Sequence, residues 1–291
     1  MMQESPQPGY SGTRQSLRRF GVVIGILTAI IVIVLGIVWL IQRSMIYYPD
    51  TSEVPAAAEV LEGGEDLTLE TSDGLELGAW FAPAAAASDD RDMAVLMAPG
   101  NAGNRENRVG LAQHLQDQGF AVLLMDYRGY STNPGSPSED GLLRDGRAAL
   151  DALAAQEYSP DQLIYFAESL GGGVIAALLS EGEPPAAAIF RSPFSELADV
   201  ASYHYPFLPV RVVLRDRFPV TDHVRDTEVP VTVIRSENDT VIPTHLSAEV
   251  AMAASNLLEE QVIEAADHND PVMFGPEIAE AVARASDAVA Q

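Results

Sequence analysis

The chain contains no cysteine and no lysine; all 17 of its basic residues are arginine. Without cysteine there are no disulfides, no zinc ribbons and no thiolate nucleophile. Without lysine there is no Walker A lysine, no pyridoxal Schiff base and no serine–lysine dyad. Positive charge is scarce in general. Against 42 acidic residues the formal net charge is −25, which denies the chain the basic surface that a nucleic-acid partner demands. Neither glycine cluster, Gly100 to Gly103 or Gly171 to Gly173, has Gly-x-Gly-x-x-Gly spacing, so no dinucleotide site is expected. Asp267, His268 and Asp270 are metal-ligand types, yet three neighbouring loop residues rarely form a site alone. The expectation is chemistry without a metal or cofactor.

What the chain does have begins with Phe20 to Ile41, 22 residues without a charge. As a helix this run is roughly 33 Å long, enough to cross a hydrocarbon core. Trp39, Tyr47 and Tyr48 stand near its end, as interfacial aromatics do. A cleaved signal peptide is the competing reading, but a small-x-small cleavage site is missing where Leu40-Ile41-Gln42-Arg43 follows. Arg14, Arg18 and Arg19 precede the run and only Arg43 closely follows it. The positive-inside rule then places the N-terminus in the cytoplasm and the rest outside. The four arginines and Glu4 before Ser44 contribute +3, leaving −28 on the remainder. Gly21-x-x-x-Gly25 matches a helix-dimer motif, a common pattern in apolar spans; oligomeric state is left open.

At 291 residues the chain holds one sizeable α/β domain and an appendage. The expected division is a disordered tail over 1–19, an anchor over 20–41, a linker over 42–64 and a hydrolase-like domain over 65–291. Leu67 to Leu69 and Leu75 to Phe81 read as antiparallel strands around a Ser72-Asp73-Gly74 turn. Buried strands are expected at Met93–Ala98, Phe120–Met125, Leu163–Ala167, Ala186–Phe190, Val231–Ile234 and Gln261–Ala265. Helices are expected at Arg105–Gln118, from the Ser138 cap to Gln156, at Val174–Leu179, and after each of the last two strands. Alternating helices and near-continuous apolar strands imply a mostly parallel sheet covered on both faces. A stretch at about 194–228, rich in prolines and aromatics, interrupts the alternation and reads as a small cap.

The segment Tyr165-Phe166-Ala167-Glu168-Ser169-Leu170-Gly171-Gly172-Gly173 has the pattern of a nucleophile elbow. A strand turning straight into a helix strains the serine backbone and lifts its hydroxyl out of the sheet. The positions two before and two after must be small, and here they are Ala167 and Gly171. An ordinary strand–helix junction with glycines for close packing is the plainer alternative. Glu168 reads as structural or as part of the site rim.

A serine hydroxyl needs an adjacent base and a third group to orient it. Of five histidines, only His268 lies just past an expected core strand. Asp239 ends another, with Asp267 and Asp270 as alternative orienting acids. The order Ser169, Asp239, His268 is that of the α/β-hydrolase arrangement. An oxyanion hole needs two N–H donors; Leu170 supplies one and Asn101 is the choice for the other, with Gly100 and Gly103 letting that loop approach substrate.

With these pieces the chain resembles the membrane-anchored α/β-hydrolases of the bud-emergence type, related to hydrolase-domain proteins and protein depalmitoylases. The matching segments are Gln42 to Pro49, Gly100 to Asn104, Asp126-Tyr127-Arg128-Gly129-Tyr130, Gly135 to Glu139 and the elbow. Ser192-Pro193-Phe194, Tyr205 to Pro209, Asp239 to Pro243 and Asp267-His268-Asn269 complete the set. Three positions depart from the pattern: Pro99 stands where relatives have histidine, Ala167 replaces a glycine, and Ser131 follows Tyr130 where glycine is commoner. The resemblance implies a serine hydrolase of carboxylic ester or thioester bonds in small or lipid-like acyl substrates. It gives Ser169, Asp239 and His268 as nucleophile, acid and base. A peptidase of the same fold and a non-catalytic, membrane-tethered binding protein are the rival functions.

Overall fold

The computed structural model describes residues 11–290, with side chains from Ser16 onward. It divides into a unit ending at Gln42 and a second unit from Arg43 to the C-terminus. The first unit is the body of one helix, α1 (Ser11–Ile46). Its stretch from Ser16 is long and apolar enough to cross a membrane, with a mean hydropathy of 3.1 in its most apolar window. The stretch Ser11–Arg19, expected to be disordered, is helical instead. Pro6, Pro8 and Gly9, which prompted that expectation, all precede Ser11 and lie outside the described residues.

The second unit is built on an eight-stranded sheet: β1 (Glu65–Glu70), β2 (Glu76–Ala82), β3 (Ala94–Ala98), β4 (Ala121–Met125), β5 (Leu163–Glu168), β6 (Ala187–Arg191), β7 (Val231–Ser236) and β8 (Leu257–Ile263). In space they run β8-β7-β6-β5-β3-β4-β2-β1. β1 pairs antiparallel with β2, and β2 with β4; every other pairing is parallel. The strands from β3 to β6 are buried along their whole length, because both faces are covered. Leu96, Leu123 and Tyr165 face one core, with Leu142 and Leu153 of α2 (Glu139–Ala155) and Ile175 of α3 (Gly171–Leu178). Val95, Val122 and Phe166 face the other, with Leu111 and Leu115 of a helix at Val109–Asp117 and Val282 of the C-terminal helix at Pro276–Val289.

The last strand begins four residues before the expected Gln261. It lies at the sheet edge with Glu259 and Glu260 among its residues, and such edge charges discourage pairing with another chain. The expected helix from Arg105 starts as a 3₁₀ turn (Arg105–Arg108) before becoming α-helical. The elbow helix starts at Gly171 rather than Val174. Between β6 and β7 the chain forms three short helices: α4 (Leu197–His204), α5 (Val210–Val213) and α6 (Val220–Arg225).

The elbow is held by sterics and by buried charge. Ser169 has φ +49°, the left-handed region that a residue with a Cβ enters at a cost of about 1–3 kcal/mol. A Cβ at Gly171 would meet the Ala98 carbonyl oxygen at 2.3 Å, so the turn passes against β3 only because that position is glycine. One residue before the serine, Glu168 accepts from Arg108 at 3.0 and 2.7 Å and pairs with Arg191 at 3.1 Å. Burial works against ionisation of Glu168, but the two guanidinium groups prevail and bring its pKa down to about 2. Burial pushes Arg191 the opposite way, below the usual arginine range.

Two expectations follow. Glu168→Gln leaves two arginines without their buried counter-charge and is expected to lower unfolding free energy by about 3–5 kcal/mol, measured by urea titration of the detergent-solubilised chain at neutral pH. In the wild type the stability due to this carboxylate is complete above about 4.5 and is lost as pH falls toward about 2. The variant should lack that part of the acid limb; an unchanged limb would remove Glu168 as its source. Gly171→Ala, which drives a methyl into the β3 carbonyl, should lower the melting temperature or abolish folded expression, whereas Gly182→Ala, in open space at φ +64°, should cost about 1 kcal/mol.

Candidate active site

Parallel strands bring the chemistry-bearing loops to their carboxyl ends, where ligands of such sheets bind. β5 delivers Ser169 there, 5% exposed, its backbone N–H donating to the Arg191 carbonyl at 2.8 Å. The loop after β7 delivers Asp239, and the loop after β8 delivers His268. His268 Nδ1 lies 2.7 Å from Asp239 Oδ2, with both side chains almost wholly buried.

Asp239 is itself tightly fixed. Its Oδ1 accepts from the Val241 and Ile242 backbone N–H groups at 3.0 and 2.6 Å, and its Oδ2 accepts from Ser236 Oγ at 3.1 Å. Burial alone would raise its pKa; the imidazole contact and the two N–H groups overcome that and hold it below the usual carboxylate range. An ionised Asp239 accepts from a protonated Nδ1, which leaves Nε2 as the nitrogen with a free lone pair in the neutral ring.

The two alternative acids have other partners. Asp267 accepts from the Thr240 N–H at 2.8 Å and from the His268 N–H at 2.7 Å. Asp270 accepts from the Asp267 N–H at 2.8 Å. Asp267 ties the two loops together and Asp270 closes a turn within the histidine loop; of the three acids only Asp239 meets the imidazole. Among the described residues no group of His, Asp or Glu is arranged to hold a metal ion.

Leu170 follows Ser169 at the head of α3, and among the described residues its N–H has no acceptor. Across from it, Asn101 is braced on three sides. Its carbonyl accepts from the Tyr48 N–H at 2.8 Å and from the Tyr130 hydroxyl at 2.7 Å, and its side-chain amide donates to the Ile46 carbonyl at 2.7 Å. The loop around it is braced too: Tyr127 donates to the Pro99 carbonyl at 3.0 Å, and Arg108 donates to the Ala102 carbonyl at 3.0 Å. Gly100 makes room from below rather than only toward substrate. A Cβ there would meet Glu168 Oε1 at 2.7 Å.

The segment after α1 is part of this bracing. Tyr48 and Pro49 pair parallel with Ala102 and Gly103. Arg43 and the Tyr47 hydroxyl both donate to Asp216, between α5 and α6, at 2.9–3.0 Å.

Sequence reasoning missed Arg191. Its Nη1 donates to the His268 carbonyl at 3.1 Å and its guanidinium lies 4.4 Å from the Phe274 ring centre. Arg191 thus grips the histidine loop with its side chain and the serine with its carbonyl. The available signal was a charged residue ending a buried apolar strand, which demands a partner. Glu168, read as structural or rim, is buried under the loop as the partner of that charge.

Comparison with known proteins agrees with this architecture. The model of the alpha/beta hydrolase fold matches residues 94–219. An uncharacterized protein of Mycobacterium tuberculosis strain H37Rv is 42% identical over 242 residues, spanning 83% of this chain and 85% of that protein. A lysophosphatidylserine lipase of Danio rerio is 33% identical over 175 residues, 54% of this chain and 46% of its own. An esterase of Pyrococcus furiosus superposes with a TM-score of 0.64 over 82% of this chain and 96% of its own, at 18% identity, a likeness of fold. The strand order, the strained serine at the end of β5, the family model and the mycobacterial relative converge: the chain belongs to the α/β-hydrolase family.

Proposed function

We propose that the protein is a serine hydrolase of carboxylic ester or thioester bonds in small or lipid-like acyl substrates, of the membrane-anchored bud-emergence type. The observation that carries the reading is the buried His268–Asp239 contact on loops at the same carboxyl edge of the sheet as the strained Ser169. Ser169 Oγ attacks the acyl carbon while His268 Nε2 takes its proton, and Asp239 steadies the imidazolium that results. The negative charge that develops on the carbonyl oxygen falls to the Leu170 and Asn101 N–H groups. His268 then returns the proton to the departing alcohol or thiol. Water, activated by the same imidazole, attacks the acyl-enzyme and releases the acid.

The apolar helix supports a retained anchor, with the N-terminus cytoplasmic and the catalytic unit on the outer side. The lipase name of the Danio rerio relative favours an acyl ester over a peptide bond. Pro99, in place of histidine, leaves the loop geometry to Tyr127, Tyr130 and the segment after the helix.

The test is labelling of the full chain by a fluorophosphonate probe, with parallel assays on short-chain aryl esters. Ser169→Ala and His268→Ala should each abolish labelling. Folded wild-type protein that takes up no probe would overturn the reading in favour of a binding protein. Asp239→Asn, which leaves the wrong imidazole nitrogen protonated, should reduce kcat by about 10⁴-fold with little change in KM, while Asp267→Asn should retain most of kcat.

A further inference from the structure

Acidic residues are dense after the anchor, yet none occurs from Val200 to Arg215, the longest such gap in that part of the chain. The gap covers the end of α4, the turn Tyr205 to Pro209, and α5. The same stretch carries three of the four most exposed large apolar side chains of the catalytic unit. Val212 is 82% exposed, Phe207 78% and Tyr203 61%. Arg211, Arg215 and Arg217 are exposed among them. Arg211 meets Glu196 and Asp199 at the base of the cap, and Asp216 is taken up by Arg43 and Tyr47. A large apolar side chain left almost fully in water marks an interaction surface when others surround it. Aromatic and aliphatic tips interspersed with arginine suit the boundary between headgroups and acyl chains.

The occupant follows from the tether. Arg43 comes two residues after the uncharged run ends at Ile41, and its guanidinium is fixed on Asp216, beside the arginines of this stretch. The chain after Arg43, bearing a net −28, is repelled as a whole by an anionic leaflet, since like charges oppose approach. The stretch that brings arginines and no acid of its own, with the adjoining Glu196, Asp199 and Asp216 already paired, is where contact costs least.

We propose that the cap surface formed by Tyr203, Phe207, Val212 and the adjoining arginines rests on the anionic bilayer that holds the apolar helix, so that the site draws its acyl substrate from the membrane. This rests on the hydrolase reading for the word substrate; the contact with lipid does not.

The absence of native cysteine makes the contact directly readable. Phe207→Cys, Val212→Cys and, at the amino end of β6, the exposed Glu183→Cys are each labelled with an environment-sensitive dye in the full chain. They are then reconstituted into phosphatidylcholine vesicles with and without phosphatidylglycerol. Blue-shifted emission and quenching by lipid-borne spin label are expected at 207 and 212, stronger with phosphatidylglycerol, and not at 183. Equal, water-like emission at all three sites overturns the proposal. So does shielding at 207 and 212 that survives in detergent and grows with protein concentration, which means a second copy covers the patch.

A second arm uses Phe207→Asp with Val212→Asp. Hydrolysis of a vesicle-borne long-chain ester should fall about tenfold or more while turnover of a soluble short-chain ester is unchanged. An equal fall on both substrates overturns substrate supply from the membrane. Wild-type protein inert toward both esters refutes the hydrolase reading, and the dye positions still decide whether the cap meets lipid.

Discussion

Two guanidinium groups share the Glu168 carboxylate immediately before Ser169, and much of the site's geometry depends on that shared charge. Arg108 reaches it from the 3₁₀ turn after β3 and also holds the Ala102 and Asn104 carbonyls. Arg191 reaches it from the end of β6 and holds the His268 carbonyl. A single carboxylate therefore joins the loop that faces the serine, the serine's own strand and the loop that carries the histidine. An apolar replacement of the whole cluster can fill the same volume at comparable stability, but it provides no directional link among three separate loops. The cost of burying these charges is met by fixing relative positions, which a reaction sensitive to small misplacements requires.

A second tier of bracing surrounds this one. In Asp126-Tyr127-Arg128-Gly129-Tyr130, Asp126 pairs with Arg105, whose guanidinium lies 4.8 Å from the centre of the Trp80 ring. Tyr127 and Tyr130 hold Pro99 and Asn101, while Arg128 is bound by Asp145 and Asp73. Each side chain of the motif thus has a partner on a different element, and none touches the Asp239–His268 pair. The motif maintains the opposite wall. Glu139 does comparable work for the cap, accepting from the Arg217 and Phe218 N–H groups at 2.5 and 2.8 Å.

What could be read from the amino acids was whatever rests on local sterics or on periodicity. The elbow was legible because a serine between Ala167 and Gly171, at the end of an apolar strand, has few other conformations. The central strands were legible because burial on both faces leaves uninterrupted apolar runs. β8 was placed late because Leu257 to Glu260 mixes apolar and charged residues, as an edge strand with one exposed side does. Asp239 could be ranked ahead of Asp267 and Asp270 by its place at the end of a core strand, although all three lie in loops of similar composition. Their contacts distinguish Asp239, bound to the ring, from Asp267 and Asp270, bound to backbone. Glu168, Arg108 and Arg191 find one another across long separations in the chain, and a pairing of that kind leaves no periodic trace.

The pairing of Tyr48 and Pro49 with Ala102 and Gly103 also governs how this unit can be cut free of the apolar helix. A protease cutting between Ile46 and Asp50 would take away the Ile46 carbonyl and the Tyr48 N–H that Asn101 holds, releasing a unit whose loop has lost one wall. Release that leaves the loop intact requires a cut within the helix on the amino side of Ile46. Attachment and loop shape reside in the same few residues, so neither can be altered by evolution or by protein engineering without disturbing the other.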